Sequence, residues 1–213
     1  MKTRLLKTSI LLFLSCAALQ ADNLVTNGDF ETGDGKAFYQ TTGWYNQGTG
    51  FNQGTGARSD KGTIISGSYS ATVHDRYNKS LEKFGAVAHV QKTQHTIEEG
   101  DSFSLSYEWR PADDYWQRST DTIRFILFAT ADDKLSGPIV WSAEFNSPFF
   151  RGKITTPMGV SETTEVVTPD AVGKKLFICF HGLDTVNSET GSTHFASVDN
   201  IEVSATNNHP KKP

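Results

Sequence analysis

The sequence predicts an all-β domain, built as two packed sheets in a sandwich or jelly roll, on three observations. From Asn23 onward apolar residues alternate with polar ones or run together in short stretches. Gly, Asn, Asp and Pro interrupt these stretches at the spacing of turns. Nowhere after residue 21 do apolar residues recur at helical spacing over several turns, so little helix is expected. A chain of 213 residues, 37% hydrophobic and 21% charged, suits one domain with a core of its own.

The clearest strand is "SFSLSYEWR": Phe103, Leu105, Tyr107 and Trp109 face one way, while Ser102, Ser104, Ser106, Glu108 and Arg110 face the other. One face belongs to a core and one to water. Similar stretches are "NLVTNGDFE", "GTIIS", "YSATVHD", "GAVAHVQ", "TIRFILFAT", "PIVWSAEF", "TEVVT", "KLFICFHG" and "HFASVDNIEVS", about ten strands in all. Many short strands in one domain imply two sheets packed face to face.

The ends of the chain read differently. Lys2, Arg4 and Lys7 precede a short apolar run, Ser9 to Leu14, and small residues follow up to Ala21, the pattern of an export signal cleaved after Ala21. The run is too short to span a bilayer. Cys16 leaves a lipoprotein alternative open, although Phe13 and Leu14 suit a lipobox poorly. Residues 22–205 then form the domain, and 206–213, "TNNHPKKP", form a tail without an apolar anchor. Losing residues 1–21 moves the formal charge from −4 to −7, which argues against a broad nucleic-acid or anionic-lipid surface. Cys179 is then the sole cysteine, so no internal disulfide can form; inside "LFICF" it reads as a buried, inert thiol.

Segments in chain order carry a resemblance. "NLVTNGDFETG" followed by Gly43-Trp44, then "SGSYSATV", "VQKTQHTIEEGDSFSLSYEWR" and "FASVDNIEVS" resemble the successive signatures of carbohydrate-binding modules of the cellulase and xylanase type. The similarity spans residues 23–204, and "NGDFE" with "VDNIEV" is its most specific pair. It implies the galactose-binding-like β-jelly-roll fold and a polysaccharide or glycan ligand. It also implies a structural calcium, at Asp29 or Glu31, the Gly67 region and Asp199. Calcium takes several hard oxygens, and clamping both chain ends would help a domain without disulfides. The alternative is that Asn27-Gly28 is simply a turn and the two acids are solvated. Trp44, which packs inside in the resembling modules, is expected to be structural.

No GxSxG, HExxH, CxxC or phosphate-cradling GxxxxGK[ST] motif is present. Glu108, Asp113, Asp114 and Asp121 lie close in sequence and keep acid-base chemistry open, but acids in turns are usually solvated, so a non-catalytic protein is expected. The six histidines are dispersed. Sugar binding needs flat aromatic faces beside amides, carboxylates and guanidinium groups. Alternation puts His89, Gln91, Glu108, Arg110 and Arg124 on wet faces, and "RPADDYWQRSTD" offers the aromatic pair Tyr115 and Trp116. Phe149 and Phe150 read as a lid on the core. The repeat "YNQGTGFNQGTG" reads as a self-bonded loop at one rim, with glycan contact through Tyr45, Asn46 or Gln47 as the alternative.

The leading expectation is thus a secreted, periplasmic or cell-surface glycan-binding protein. An envelope structural or adhesive protein without sugar specificity, and a small glycan-active lyase or hydrolase, are the competing readings.

Overall fold

The structure is a computed structural model that describes residues 22–32, 41–48, 57–58, 64–74, 87–111, 121–148, 156–184 and 195–207. These contain ten strands: β1 (Tyr45–Gly48), β2 (Ala57–Arg58), β3 (Ser70–His74), β4 (Val87–Thr96), β5 (Asp101–Pro111), β6 (Asp121–Thr130), β7 (Ile139–Pro148), β8 (Met158–Thr163), β9 (Lys175–Asp184) and β10 (Phe195–Asn207). The first sheet has the order β1-β4-β9-β6-β7 and the second β2-β3-β10-β5-β8. All the pairings are antiparallel. A 3-10 turn, Pro169–Ala171, is the only helical element among the described residues. The expected two-sheet, all-β sandwich is what the chain forms.

The core lies between the sheets. On β5, Phe103, Leu105, Tyr107 and Trp109 are buried as the alternation requires. Facing them, one register row of the first sheet runs Phe145, Phe125, Phe180, His89 across β7, β6, β9 and β4. Phe125 stacks on Phe180 at 5.1 Å between ring centroids, and Tyr107 crosses from the second sheet to stack on Phe125 at 4.0 Å. Aromatic contacts of this kind add to the area they bury and fix how the sheets seat on each other. Trp44 joins this core beside Phe30, at 5.5 Å, as expected of a structural tryptophan.

β9 is apolar on both faces, which explains why "LFICF" does not alternate. Leu176, Ile178 and Phe180 enter the main core, whereas Phe177 and Cys179 join Val90, Ile126 and Phe128 in a smaller cluster on the outer face of the first sheet. Leu135 packs on that cluster from the β6–β7 connection. Lys92 Nζ holds this connection down by donating to the Asp133 carbonyl, and Lys174 Nζ by donating to that of Ala131. Burial pushes the Cys179 thiol up to about 12, against a smaller opposing effect of Arg124. The thiol is accordingly inert at neutral pH.

Several expected strands differ. "NLVTNGDFE" makes no regular ladder; side chains meet its amides instead, Asn23 Oδ1 accepting from Val25 N and Gln91 Oε1 from Thr26 N. "TEVVT" is irregular, although Thr164 N and Val167 N still bond to Phe103 O and Asp101 O, and the edge strand there is β8 instead. The repeat begins as a strand, because β1 pairs with β4 from Tyr45 opposite Val90 to Gly48 opposite Val87. Residues 49–56 lie outside the described residues, as do Phe149, Phe150 and 208–213. β10 continues through Asn207, into the stretch expected to be tail.

Backbone meets backbone closely at Gly28. Ile201 N donates to Gly28 O, and a Cβ on Gly28 would overlap the Ile201 carbonyl oxygen. Backbone cannot yield as a flexible side chain can, so Gly28→Ala is expected to destabilise the protein by about 3 kcal/mol in urea unfolding. Gly159→Ala, whose new methyl meets nothing within 4 Å, is the control and is expected to change stability by less than about 0.5 kcal/mol.

Candidate functional site

The residues expected to face a ligand fall in three places. His89 and Gln91 point into the sandwich, each 2% exposed, and the expectation that they line a wet face is corrected. His89 stacks on Phe180 at 4.5 Å and an interplanar angle of 9°, with Nε2 3.1 Å from the Thr72 carbonyl. Gln91 holds the N-terminal segment through two bonds to one residue, accepting from Thr26 N at 2.7 Å and donating to Thr26 O at 2.8 Å. Both side chains have structural work that leaves nothing for a ligand.

Arg124 lies on the outer face of the first sheet, in register with Asn146 on β7 and His181 on β9. It pairs with the Glu144 carboxylate, while its Nε is buried without a hydrogen-bond partner. Burial lowers the His181 pKa, and the ring Nδ1 sits 3.0 Å from the Gly182 carbonyl. Glu108 and Arg110 occupy the outer face of the second sheet. Glu108 accepts from Asn200 Nδ2 at 2.8 Å. Arg110 lies opposite Ser197, and its Nε and the Ser197 Oγ are both buried without a partner.

These two outer faces are separated by the whole sandwich, so Arg110 and Arg124 can serve one ligand only around the rim that joins them. The chain makes that rim from long connections. β3, β5, β7 and β9 all end at the same edge of the two sheets, and β4, β6, β8 and β10 start there. The β5–β6 connection leaves just after Arg110 and enters β6 just before Arg124. It carries Tyr115 and Trp116, which lie outside the described residues. Tyr45 pairs with Val90 further from this edge than Gly48, which pairs with Val87.

Three of the four positions expected around a metal meet at one turn. Glu31 Oε1 accepts from Ser68 N at 2.7 Å and Tyr69 N at 2.9 Å. Gly67, at φ +56°, lies so close to this carboxylate that a Cβ would overlap it. From the other side Asp199 Oδ2 accepts from Ser66 N, Ser66 Oγ and Ser70 Oγ, and Oδ1 from Asn200 N. Burial pushes the Asp199 carboxyl up, against the hydrogen bonds from Ser70, Asn200 and Ser66 that hold it down. Asp29 is exposed, with only a long 3.4 Å bond from Glu31 N. Among the described residues no three His, Cys, Asp or Glu side chains converge on one point. The donors are hard oxygens and fit calcium in kind, but the Asp199 carboxylate is already filled by protein donors. Glu31 Oε1 is likewise taken by the Ser68 and Tyr69 amides, so a calcium there would have to draw on the remaining Glu31 oxygen and on backbone carbonyls or Asp29 beside it.

No protein-family model matches the chain, and no curated protein matches it. Solved structures do. The apo form of a cyclase from Fischerella sp. overlays with a TM-score of 0.55 at 14% identity, covering 88% of this chain and 97% of the cyclase. The enzymatically active domain of tailspike protein 4 from bacteriophage CBA120 overlays at 0.52 and 19% identity, covering 86% of this chain but 21% of that one, so this chain spans about a fifth of its length. A family 16 carbohydrate-binding module gives 0.48 at 15% identity, over 85% of this chain and 99% of the module. At such identities the likeness is one of fold. The chain shares the two-sheet β-sandwich fold of the cyclase and of the tailspike domain.

Sequence reasoning passed over some polar groups on the faces of this sandwich. Glu144 and Asn146 were legible as the outward residues of "PIVWSAEF" and its continuation, yet only the β6–β7 register sets them beside Arg124. The outward serines of β5 were read as a wet face, without the partners on β8 and β10 that turn them into a surface of defined shape.

His89 makes stability depend on pH. Burial lowers its pKa from 6.5 to about 4, against the smaller effect of its bond to Thr72. Between those values the unfolded chain binds a proton that the folded chain refuses. Stability is therefore full above pH 6.5 and declines as pH falls towards about 4, by about 3 kcal/mol in total. His89→Phe keeps a flat ring against Phe180 and is expected to flatten this decline in urea unfolding across that range. Among the described residues, His181 is shifted in the same direction and adds to this slope.

Proposed function

We propose that the protein is an exported, non-catalytic module that binds polysaccharide or glycan and carries a structural calcium. The observation that supports the ligand is the rim: the connection bearing Tyr115 and Trp116 joins strand ends that carry Arg110 and Arg124. Beside it, Arg124 stands opposite Asn146 and pairs diagonally with Glu144 in a polar group on the outer face of the first sheet. Aromatic faces for the apolar side of a pyranose and guanidinium, carboxylate and amide groups for its hydroxyls are what such recognition needs. The sequence resemblance to carbohydrate-binding modules over residues 23–204 agrees with this reading, and the signal-like residues 1–21 agree with export.

A second reading, a small glycan-active lyase or hydrolase, draws on the likeness to a cyclase over nearly the whole of both chains, since one sandwich hosts both binding and catalysis. Incubation with cell-wall polysaccharides, read for new reducing ends or unsaturated products, separates it from a binding module.

On a glycan array the wild-type protein is expected to bind a restricted set of glycans, and Tyr115→Ala with Trp116→Ala to weaken binding about tenfold or more. Unchanged binding by the folded double variant would reject the rim as the contact surface.

Calcium bound by Glu31, Asp29 and the Gly67 turn stabilises the folded state by mass action. Chelation is expected to lower Tm by several degrees, with calcium restoring it, and Glu31→Gln to abolish the difference. A metal-free protein by elemental analysis, with the same Tm in chelator, excludes the ion.

A further inference from the structure

On the face of the second sheet that looks away from the core, β10, β5 and β8 lie side by side, and their outward residues form two rows. One row is Glu202, Ser106, Ser161; the next is Ser204, Ser104, Thr163. The side chains are short, and with the segment at Asp22 and Asn23 along one margin they leave an open trough of about 480 Å³. We propose that this trough is a second binding site, for a neutral, hydroxyl-rich sugar of roughly one or two rings.

The chemistry follows from the lining. Outward side chains stand about 5 Å apart across strands and about 7 Å apart along them, so the serines present a lattice of hydroxyls, each able to donate and to accept. A sugar ring carries the complementary lattice. Among the described residues, the bond these serines make to a neighbouring side chain is a long one, Ser104 Oγ to Thr163 Oγ1 at 3.4 Å. Glu202 adds a carboxylate that accepts sugar hydroxyls in charge-assisted bonds. Asn23, by contrast, is committed to the fold, its Oδ1 accepting from Val25 N and Val203 N and its Nδ2 donating to Ile201 O. Two carboxylates, Asp22 and Glu202, line the trough and no Lys or Arg side chain does; with cleavage after Ala21 the Asp22 ammonium offsets one of them, and the net negative charge that Glu202 leaves disfavours an acidic sugar. The site is on the face opposite Arg124, so a chain with both sites occupied would bridge two glycan strands and gain avidity for a dense polysaccharide.

The proposal rests on the glycan reading but not on the rim, and the experiment keeps them apart. The full chain is titrated by calorimetry with short neutral oligosaccharides of the gluco, xylo, manno and galacto series, and with an oligogalacturonate as the acidic comparator. One neutral series is expected to bind. Ser106→Leu and Ser161→Leu, which fill the trough from a central and an exposed edge strand, should each weaken it about tenfold or more with unchanged Tm. Glu202→Gln, which keeps the shape, should weaken it less. Arg124→Ala with Trp116→Ala should leave this binding intact. Wild-type affinity in both folded leucine variants, or equal binding of the acidic comparator that they abolish, overturns the trough and leaves the glycan reading standing. Absence of binding to any oligosaccharide or polysaccharide overturns both.

Discussion

The seating of the turn at Gly28 on β10 is the constraint on which the rest of the sandwich depends. β10 is the central strand of the second sheet, paired with β3 on one side and β5 on the other. Its register shifts between Asp199 and Glu202, and Ile201 N, released there from the ladder, donates to Gly28 O instead. The same turn sends Phe30 into the core and offers the Asn27 carbonyl to the Trp44 indole. Asn27 itself adopts a positive φ of 53°, and its amide spans Thr32 and Thr42. One glycine thus permits a contact between segments some 170 residues apart, at the point where the core closes.

Around that contact the fold satisfies irregular backbone with side chains rather than ladders. Asn23, Gln91, Glu31 and Asp199 each engage main-chain amides of a segment distant in sequence. Buried or half-buried amides need such partners, and carboxylate acceptors give the stronger bonds. Glu31 and Asp199 grip the Gly67 turn from opposite sides, so the two chain ends are tied through it even without a metal. A calcium at Glu31 would add to this clamp rather than create it, because Asp199 is held by Ser66, Ser70 and Asn200 in any case.

How far the sequence could be read depended on whether one face or both faces of a strand are covered. β5 was legible from Phe103 on, since Phe103, Leu105, Tyr107 and Trp109 are buried and Ser104, Ser106, Glu108 and Arg110 are not, whereas Ser102, read as outward, is buried near the start of the strand. In β4 the period was right and the phase was not. Val90 belongs to the outer cluster under Leu135 and His89 to the core, a choice that alternation cannot make when apolar surface awaits on both sides. β1 and β8 carry too few apolar residues to signal a strand, and only pairing with β4 and β5 reveals them. The candidate site suffered from the same ambiguity: Arg124, Glu108 and Arg110 are outward as read, but on different sheets, a fact that no local pattern holds.

The two outer faces have been put to different uses, and the core explains why this is affordable. Stacked rings from Tyr107 through Phe125 and Phe180 to His89 bind the sheets together from within, so the outward serines at 104, 106 and 204 are not needed to pack the core. The first sheet spends its outer face on a second apolar cluster. The second keeps its own polar and small: serine at 104, 106 and 204 is a poorer strand former than threonine or valine, and a central strand with two partners tolerates it. Threonine would supply the same hydroxyl with better strand propensity. What serine supplies in addition is space, and space above a hydroxyl lattice has physical value only if something enters it.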